Sequence, residues 1–155
     1  MIIQIVAVGK GMPDWVTKGF EEYAHRMPAD YKIQLTEVPA QKRLKNSDLN
    51  KIIAIEESKI CAIINKGSFR IALDRTGQTL CTKTLAKRLQ TWHDNQQSIC
   101  FVIGGPEGLS PAFLKESDVV WSLSDMTLPH PLVRVVLAEQ IYRGWSIIVN
   151  HPYHR

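Results

Sequence analysis

Two segments, each placed just after a strand-like run, hold most of the residues in this sequence that could do chemistry. The first runs Ile103, Gly104, Gly105, Pro106, Glu107, Gly108, Leu109 and Ser110. Its glycines let backbone approach a ligand where side chains would block it, and its proline fixes the path of the turn. The second runs from Trp121 through Ser122, Leu123, Ser124, Asp125, Met126, Thr127, Leu128, Pro129 and His130 to Pro131. Prolines bracket His130, so a rigid segment offers N–H and C=O groups to a flat heterocycle, while Leu123, Met126 and Leu128 supply apolar walls. In open α/β sheets ligands bind beyond the carboxyl ends of strands, where both segments fall.

Further candidates cluster near the C-terminus. Glu139 and Arg143 are spaced i,i+4 on the last helix, the pattern of an exposed ion pair worth roughly 0.3–0.5 kcal/mol. Arg134 is read with them as polar, against an apolar stripe of Leu137, Ile141, Trp145 and Ile148. The tail His151, Pro152, Tyr153, His154 and Arg155 could stack on an RNA base and hydrogen-bond it or a phosphate. His151 and His154 are too few ligands for a metal site, and no metal is expected. Lys42, Arg43 and Lys45 form a basic run suited to phosphate contacts. Gly9 and Gly11, with Glu37 farther on, imitate a dinucleotide-binding fingerprint. Position 14, however, is Asp14 instead of the third glycine, and its carboxylate would sit where a pyrophosphate needs positive potential. We read that segment as a strand-to-helix turn.

These residues must be positioned by a chain of 155 residues, a length that predicts one domain over residues 1–155. Such a domain buries roughly 70% of its extended surface and needs no staple. Hydrophobic residues at 45% and charged residues at 22% exclude disorder. Cys61, Cys81 and Cys100 are an odd count without a close pair, which fits a reducing compartment. No signal leader and no run of membrane-spanning length are visible, so a cytoplasmic location and no membrane partner are expected. A net charge of +4 and a pI near 9.0 favour a polyanionic partner.

Strand-like and helix-like segments alternate. Residues 2–8, 33–38, 69–73, 98–103 and 119–123 are short, β-branched and apolar, which predicts strands. A helix opens at Pro13 and Asp14. Ser47 is a candidate N-cap for a second, in which Leu49, Ile52, Ile53, Glu56, Ile60 and Ile63 repeat with a period near 3.6. Thr82 can cap a third, with Leu85, Leu89 and Trp92 on one face. Ser110 and Pro111 start a short fourth, and residues 131 to about 150 form the longest. Between the third strand and third helix, Asp74, Arg75, Thr76 and Gly77 read as a turn. The fold class predicted is α/β, a mainly parallel five- or six-stranded sheet with helices on both faces.

Together these segments resemble a known family: the bacterial large-subunit rRNA methyltransferases that methylate N3 of a pseudouridine in 23S rRNA, a minimal SPOUT group. The resemblance spans the whole chain. It runs through Val6-Ala7-Val8-Gly9, Met12-Pro13-Asp14-Trp15, Lys42-Arg43 and Leu73-Asp74, and is tightest in residues 103–111, 122–134 and 150–155. It implies a C-terminal trefoil knot and S-adenosylmethionine as cofactor. The implied cofactor contacts are Leu73, Gly104, Gly105, Leu123, Ser124, Asp125, Met126, Thr127 and Leu128. It also implies a homodimer with active sites at the subunit interface, acting on 23S rRNA within the large subunit or the whole ribosome. Gln41 and Leu44 stand where the family commonly has glycine, a local departure.

For such a reaction the catalytic group is expected among His130, Glu139, Arg143 and His154. The proton acceptor stays open between His130, Glu139 and His154. Arg134, Tyr153 and Arg155 are expected to hold the substrate. A non-catalytic RNA-binding protein and a related enzyme acting on tRNA are the competing readings.

Overall fold

The structure is a computed structural model that describes residues 1–155. Five strands join one sheet in the order β2-β1-β4-β3-β5. They are β1 (Ile2–Val8), β2 (Lys32–Val38), β3 (Phe69–Thr79), β4 (Ile99–Ile103) and β5 (Val119–Ser122). Every pairing is parallel. Helices α1 (Asp14–Ala24), α2 (Leu49–Ile63), α3 (Thr82–Asp94), α4 (Pro111–Glu116) and α5 (His130–Ile148) connect and cover them.

A parallel sheet must be covered on both faces, and its strands therefore read as continuous apolar runs. Alternate residues of those runs go to opposite layers. Ile3, Ile5, Ala7, Ile99, Phe101 and Ile103 pack with Phe20 of α1, Leu85, Leu89 and Trp92 of α3, and Leu137, Ala138 and Ile141 of α5. Val6, Val8, Val38, Ala72, Cys100 and Val102 face the other way, onto Ile60 of α2 and Phe113 of α4. Burial pushes the Cys100 thiol up to about 12, so it serves as a small apolar side chain. The polar exception in β1 has partners at both ends. Gln4 donates to the Ile63 carbonyl at 3.1 Å and accepts from the Asn65 amide at 3.2 Å, fixing the exit of α2 to the sheet.

Three boundaries differ from the sequence expectation. Asp48, not Ser47, caps α2, accepting from the amides of Asn50 and Lys51, while the Ser47 hydroxyl accepts from the Leu44 amide at 2.7 Å. Thr82 is the first residue of α3 and not its cap, and its hydroxyl donates to Gln140 of α5 at 2.7 Å. The expected turn at residues 74–77 is instead an excursion inside β3. Leu73 and Gln78, at its two ends, both pair with Trp121 of β5. A Cβ at Gly77 would stand 2.6 Å from the Trp121 carbonyl carbon, so only glycine lets the excursion close on β5.

Candidate active site

Beyond the carboxyl ends of β3, β4 and β5 lies a cavity of about 500 Å³. Its size is within the range of small-ligand pockets. The segment after β4 forms one wall. Gly104 packs so tightly on Gly108 that a Cβ would lie 2.7 Å from the Gly108 carbonyl carbon. Gly108 has φ +76°, a backbone that side chains disfavour. Its amide donates to the Gly105 carbonyl at 2.9 Å, closing a tight turn. Ser110 then caps α4 by accepting from the Phe113 amide at 3.1 Å, with Pro111 at the first helical position.

The segment after β5 forms the facing wall. The Ser122 hydroxyl donates to the Ser124 carbonyl, and the Ser124 hydroxyl accepts from the Met126 amide. The amides of Asp125, Thr127 and Leu128 donate to no other protein group, which leaves backbone donors for a ligand. Of the nine residues expected to contact a cofactor, eight line the cavity: Leu73, Gly104, Gly105, Leu123, Ser124, Met126, Thr127 and Leu128. Asp125 lies in the same loop but is exposed and outside the lining. His130, at the start of α5, also lines it. Burial, followed by the Arg134 and Arg43 cations, pushes the His130 pKa below its ordinary range, so the ring is held neutral.

Sequence reasoning overlooked the charged members of this lining. Asp74 and Arg75 were visible only as turn residues, yet both face the cavity, as does Glu107. Their signal was position: a charged pair directly after a buried strand end.

The C-terminal candidates form a second, separate cluster. Glu139 Oε1 accepts from Arg143 Nε at 2.8 Å and from the Tyr153 hydroxyl at 3.0 Å. The Arg143 guanidinium lies 4.8 Å from the centroid of the Tyr153 ring, and that ring packs edge-on to Tyr142 at 4.7 Å. The tail is therefore docked, not frayed. Asn150, at φ +54°, reverses the chain after α5, and His151 Nδ1 accepts from the Tyr153 amide at 3.2 Å. Burial, then hydrogen bonds with Tyr23 and Glu139, pushes the Tyr153 phenol upward, so it stays protonated. Arg143 and His154 line another cavity of about 570 Å³, between α3 and α5, with Lys83 and Lys87. His154 Nδ1 is buried there without a partner. Arg155 is exposed at the chain end.

The two clusters do not meet within one chain. Glu139 and Arg143 follow His130 by nine and thirteen residues along α5. At about 1.5 Å rise per residue that is roughly 14 and 20 Å along the axis. None of Glu139, Arg143, Tyr153 and His154 lines the first cavity.

Two basic residues have other tasks than those expected. Arg134 is wholly buried. It donates to Glu37 at 2.6 Å and to the carbonyls of Val8 and Gly9 at 3.0 and 2.8 Å, so it binds α5 to the ends of β1 and β2 and is not available to substrate. Glu37, which imitated part of a dinucleotide site, thereby pairs with Arg134, and the Gly9 carbonyl accepts a hydrogen bond from the same guanidinium. Arg43 is held by Glu56 and Glu107 and is no free phosphate contact, while Lys42 and Lys45 stay exposed.

A parallel α/β sheet with a cavity at its strand ends, walled by a glycine turn, defines an α/β protein built to hold a small ligand. The comparisons specify it: residues 1–154 match the family described as "Predicted SPOUT methyltransferase", and the chain belongs to that family. It is a methyltransferase. It is 50% identical over 155 residues, covering 100% of both chains, to "Ribosomal RNA large subunit methyltransferase H" of Coxiella burnetii (strain Dugway 5J108-111). Solved structures share the fold at low identity. A probable methylase family protein from Haemophilus influenzae Rd KW20 has TM-score 0.58 and 13% identity, covering 99% of this chain and 70% of that one. A probable methyltransferase from Bordetella pertussis Tohama I has TM-score 0.60 and 11% identity, covering 92% and 95%.

Proposed function

We propose that this protein transfers a methyl group from S-adenosylmethionine to N3 of a pseudouridine in 23S rRNA, acting as a homodimer on the large subunit or the assembled ribosome. The observation that carries the reading is the cavity between the Gly104–Gly108 turn and the 122–130 loop. Its lining fits the donor's chemistry. Leu73, Ile103, Leu123 and Leu128 offer apolar walls for a heterocycle, unpaired amides offer hydrogen bonds to its edge, and Asp74 offers a carboxylate to a cationic group. The relative from Coxiella burnetii, whose name places its activity on the large-subunit rRNA, supports the substrate class.

S-adenosylmethionine, when bound, supplies a methyl group already activated on a sulfonium. What remains for the protein is alignment, worth up to roughly 7–11 kcal/mol, and removal of the acceptor's proton, worth about 10²–10⁴ in rate. The loops around the cavity orient the donor. His130, neutral beside it, can take a proton from an acceptor at the cavity mouth. The tail cluster is rigid and cationic, suited to stacking on and gripping an RNA strand. Because tail and cavity of one chain lie apart, the tail of a second copy is the natural partner for each cavity. Glu139 accepts three hydrogen bonds, from Gln140, Arg143 and Tyr153, and is less suited than His130 to proton removal.

Mass spectrometry of rRNA from a deletion strain, before and after addition of the purified protein, tests the reading. The methylated pseudouridine should be missing in the strain and restored by the enzyme with S-adenosylmethionine. An unchanged modification profile would sink the substrate assignment.

A further inference from the structure

Arg43 sits in the loop between β2 and α2, remote in sequence from the cavity, yet its guanidinium reaches the glycine turn. Nε donates to both carboxylate oxygens of Glu107 at 2.9 Å, and Nη2 donates to one of them as well. Nη1 donates to the Gln41 carbonyl at 2.7 Å and to Glu56 Oε1 at 2.9 Å, while Nη2 reaches Glu56 Oε2 at 3.3 Å. Glu56 is 2% exposed, and it also accepts from the Gln41 amide at 2.8 Å. A buried carboxylate on α2 therefore anchors one side of the guanidinium, and the other side holds the only acidic residue of the glycine turn. The fit is close: a Cβ at Gly105 would stand 3.2 Å from Arg43 Nη2 and 3.1 Å from Glu56 Oε2. The planar, bidentate geometry is one a lysine cannot reproduce.

We propose that Arg43 is a positioning residue for the donor cavity, clasping Glu107 from behind and fixing the Gly104–Gly108 turn against the buried anchor Glu56. The inference rests on the cofactor assignment made above for its affinity readout only. Arg43 touches no reacting atom. It acts by removing the freedom that glycines would otherwise give that wall, so the turn is ordered before any ligand arrives. The ion pair also holds the Glu107 carboxyl below the usual carboxylate range, keeping the clasp closed at neutral pH.

Two measurements test this. Hydrogen exchange on the ligand-free protein should show the amides of Gly104, Gly105, Glu107 and Gly108 exchanging about tenfold faster in Glu107→Gln, with those of β1 and β4 unchanged. Calorimetry with S-adenosylmethionine should show Glu107→Gln binding about tenfold more weakly in the wild-type background, but less than about twofold more weakly in Arg43→Gln/Glu56→Gln, where the clasp is already gone. Wild-type exchange rates in Glu107→Gln would overturn the clasp, whether or not the donor binds. An equal loss of affinity in both backgrounds would overturn it too, because Glu107 would then act on the ligand directly. A wild-type protein that ignores S-adenosylmethionine would remove the cofactor assignment, and the exchange rates would still decide on the clasp.

Discussion

The donor cavity and the tail cluster are built on opposite principles. The cavity is framed by backbone: glycines, prolines and unpaired amides arranged beyond strand ends set its shape, and side chains of the same loops finish its lining. The tail cluster is side chain: Tyr153, Arg143 and Glu139 tied to one another and packed on Tyr142. Backbone geometry suits a ligand that is always the same. Stacked rings and cations suit a polyanion that must be gripped and released. Within one chain the two stay separate, which makes their cooperation between two copies the point to test.

The strongest break is removal of the tail. Deleting residues 151–155 should lower methylation by at least about 10², since substrate alignment is lost, while calorimetry with S-adenosylmethionine stays at wild-type affinity. Co-expression sharpens this. A Gly104→Val subunit, blocked in its cavity, mixed with a tail-deleted subunit should recover roughly a quarter of wild-type activity if each tail serves the partner's cavity in a two-fold dimer. No recovery would mean that each chain completes its own site.

Next in size is Arg134→Ala, which leaves Glu37 without its partner and two strand-end carbonyls unsatisfied. Leaving buried acceptors without their donor costs about 1–3 kcal/mol, so the loss should appear as a fall in the urea midpoint. Weaker donor binding by the folded fraction would show that Arg134 shapes the cavity as well as the core.

The pH profile separates the regions further. If His130 takes the proton, activity is present while its ring is neutral and is lost as pH falls through its pKa, which lies below the ordinary value of about 6.5. The acid limb should therefore lie below about 6.5 and disappear in His130→Gln. An acid limb unmoved in that variant would pass the role to another group.

The smallest effect belongs to Tyr153→Phe. It deletes one hydrogen bond to Glu139, worth about 1 kcal/mol, and keeps the ring. A KM for RNA raised several-fold with unchanged donor affinity would place that bond in the substrate grip.

The fold was legible because a covered parallel sheet writes itself as apolar, β-branched runs, and Ile2–Val8 and Ile99–Ile103 are such runs. The cavity was legible because glycine and proline carry their geometry in their identity. What escaped depended on partners distant in sequence. Arg134 precedes Leu137 and Ala138 by three and four residues, so its spacing already put it on the buried stripe, but its charge argued for the surface. Only Glu37, 97 residues away, resolves that conflict. Glu56 fell on the apolar repeat of α2 for the same reason, with Arg43 as the missing term. Asp74 and Arg75 were hidden because a four-residue excursion and a plain turn look alike in sequence.

The grip of Gly77 on Trp121 sets an order of events during biosynthesis. Leu73 and Gln78 both pair with Trp121, so the excursion between them can take its final shape only after β5 has docked on β3. The N-terminal strands emerge from the ribosome first and can form early, whereas this step must wait until β5 has emerged. Refolding from denaturant should accordingly end in a slow phase that a bulkier residue at position 77 makes slower still.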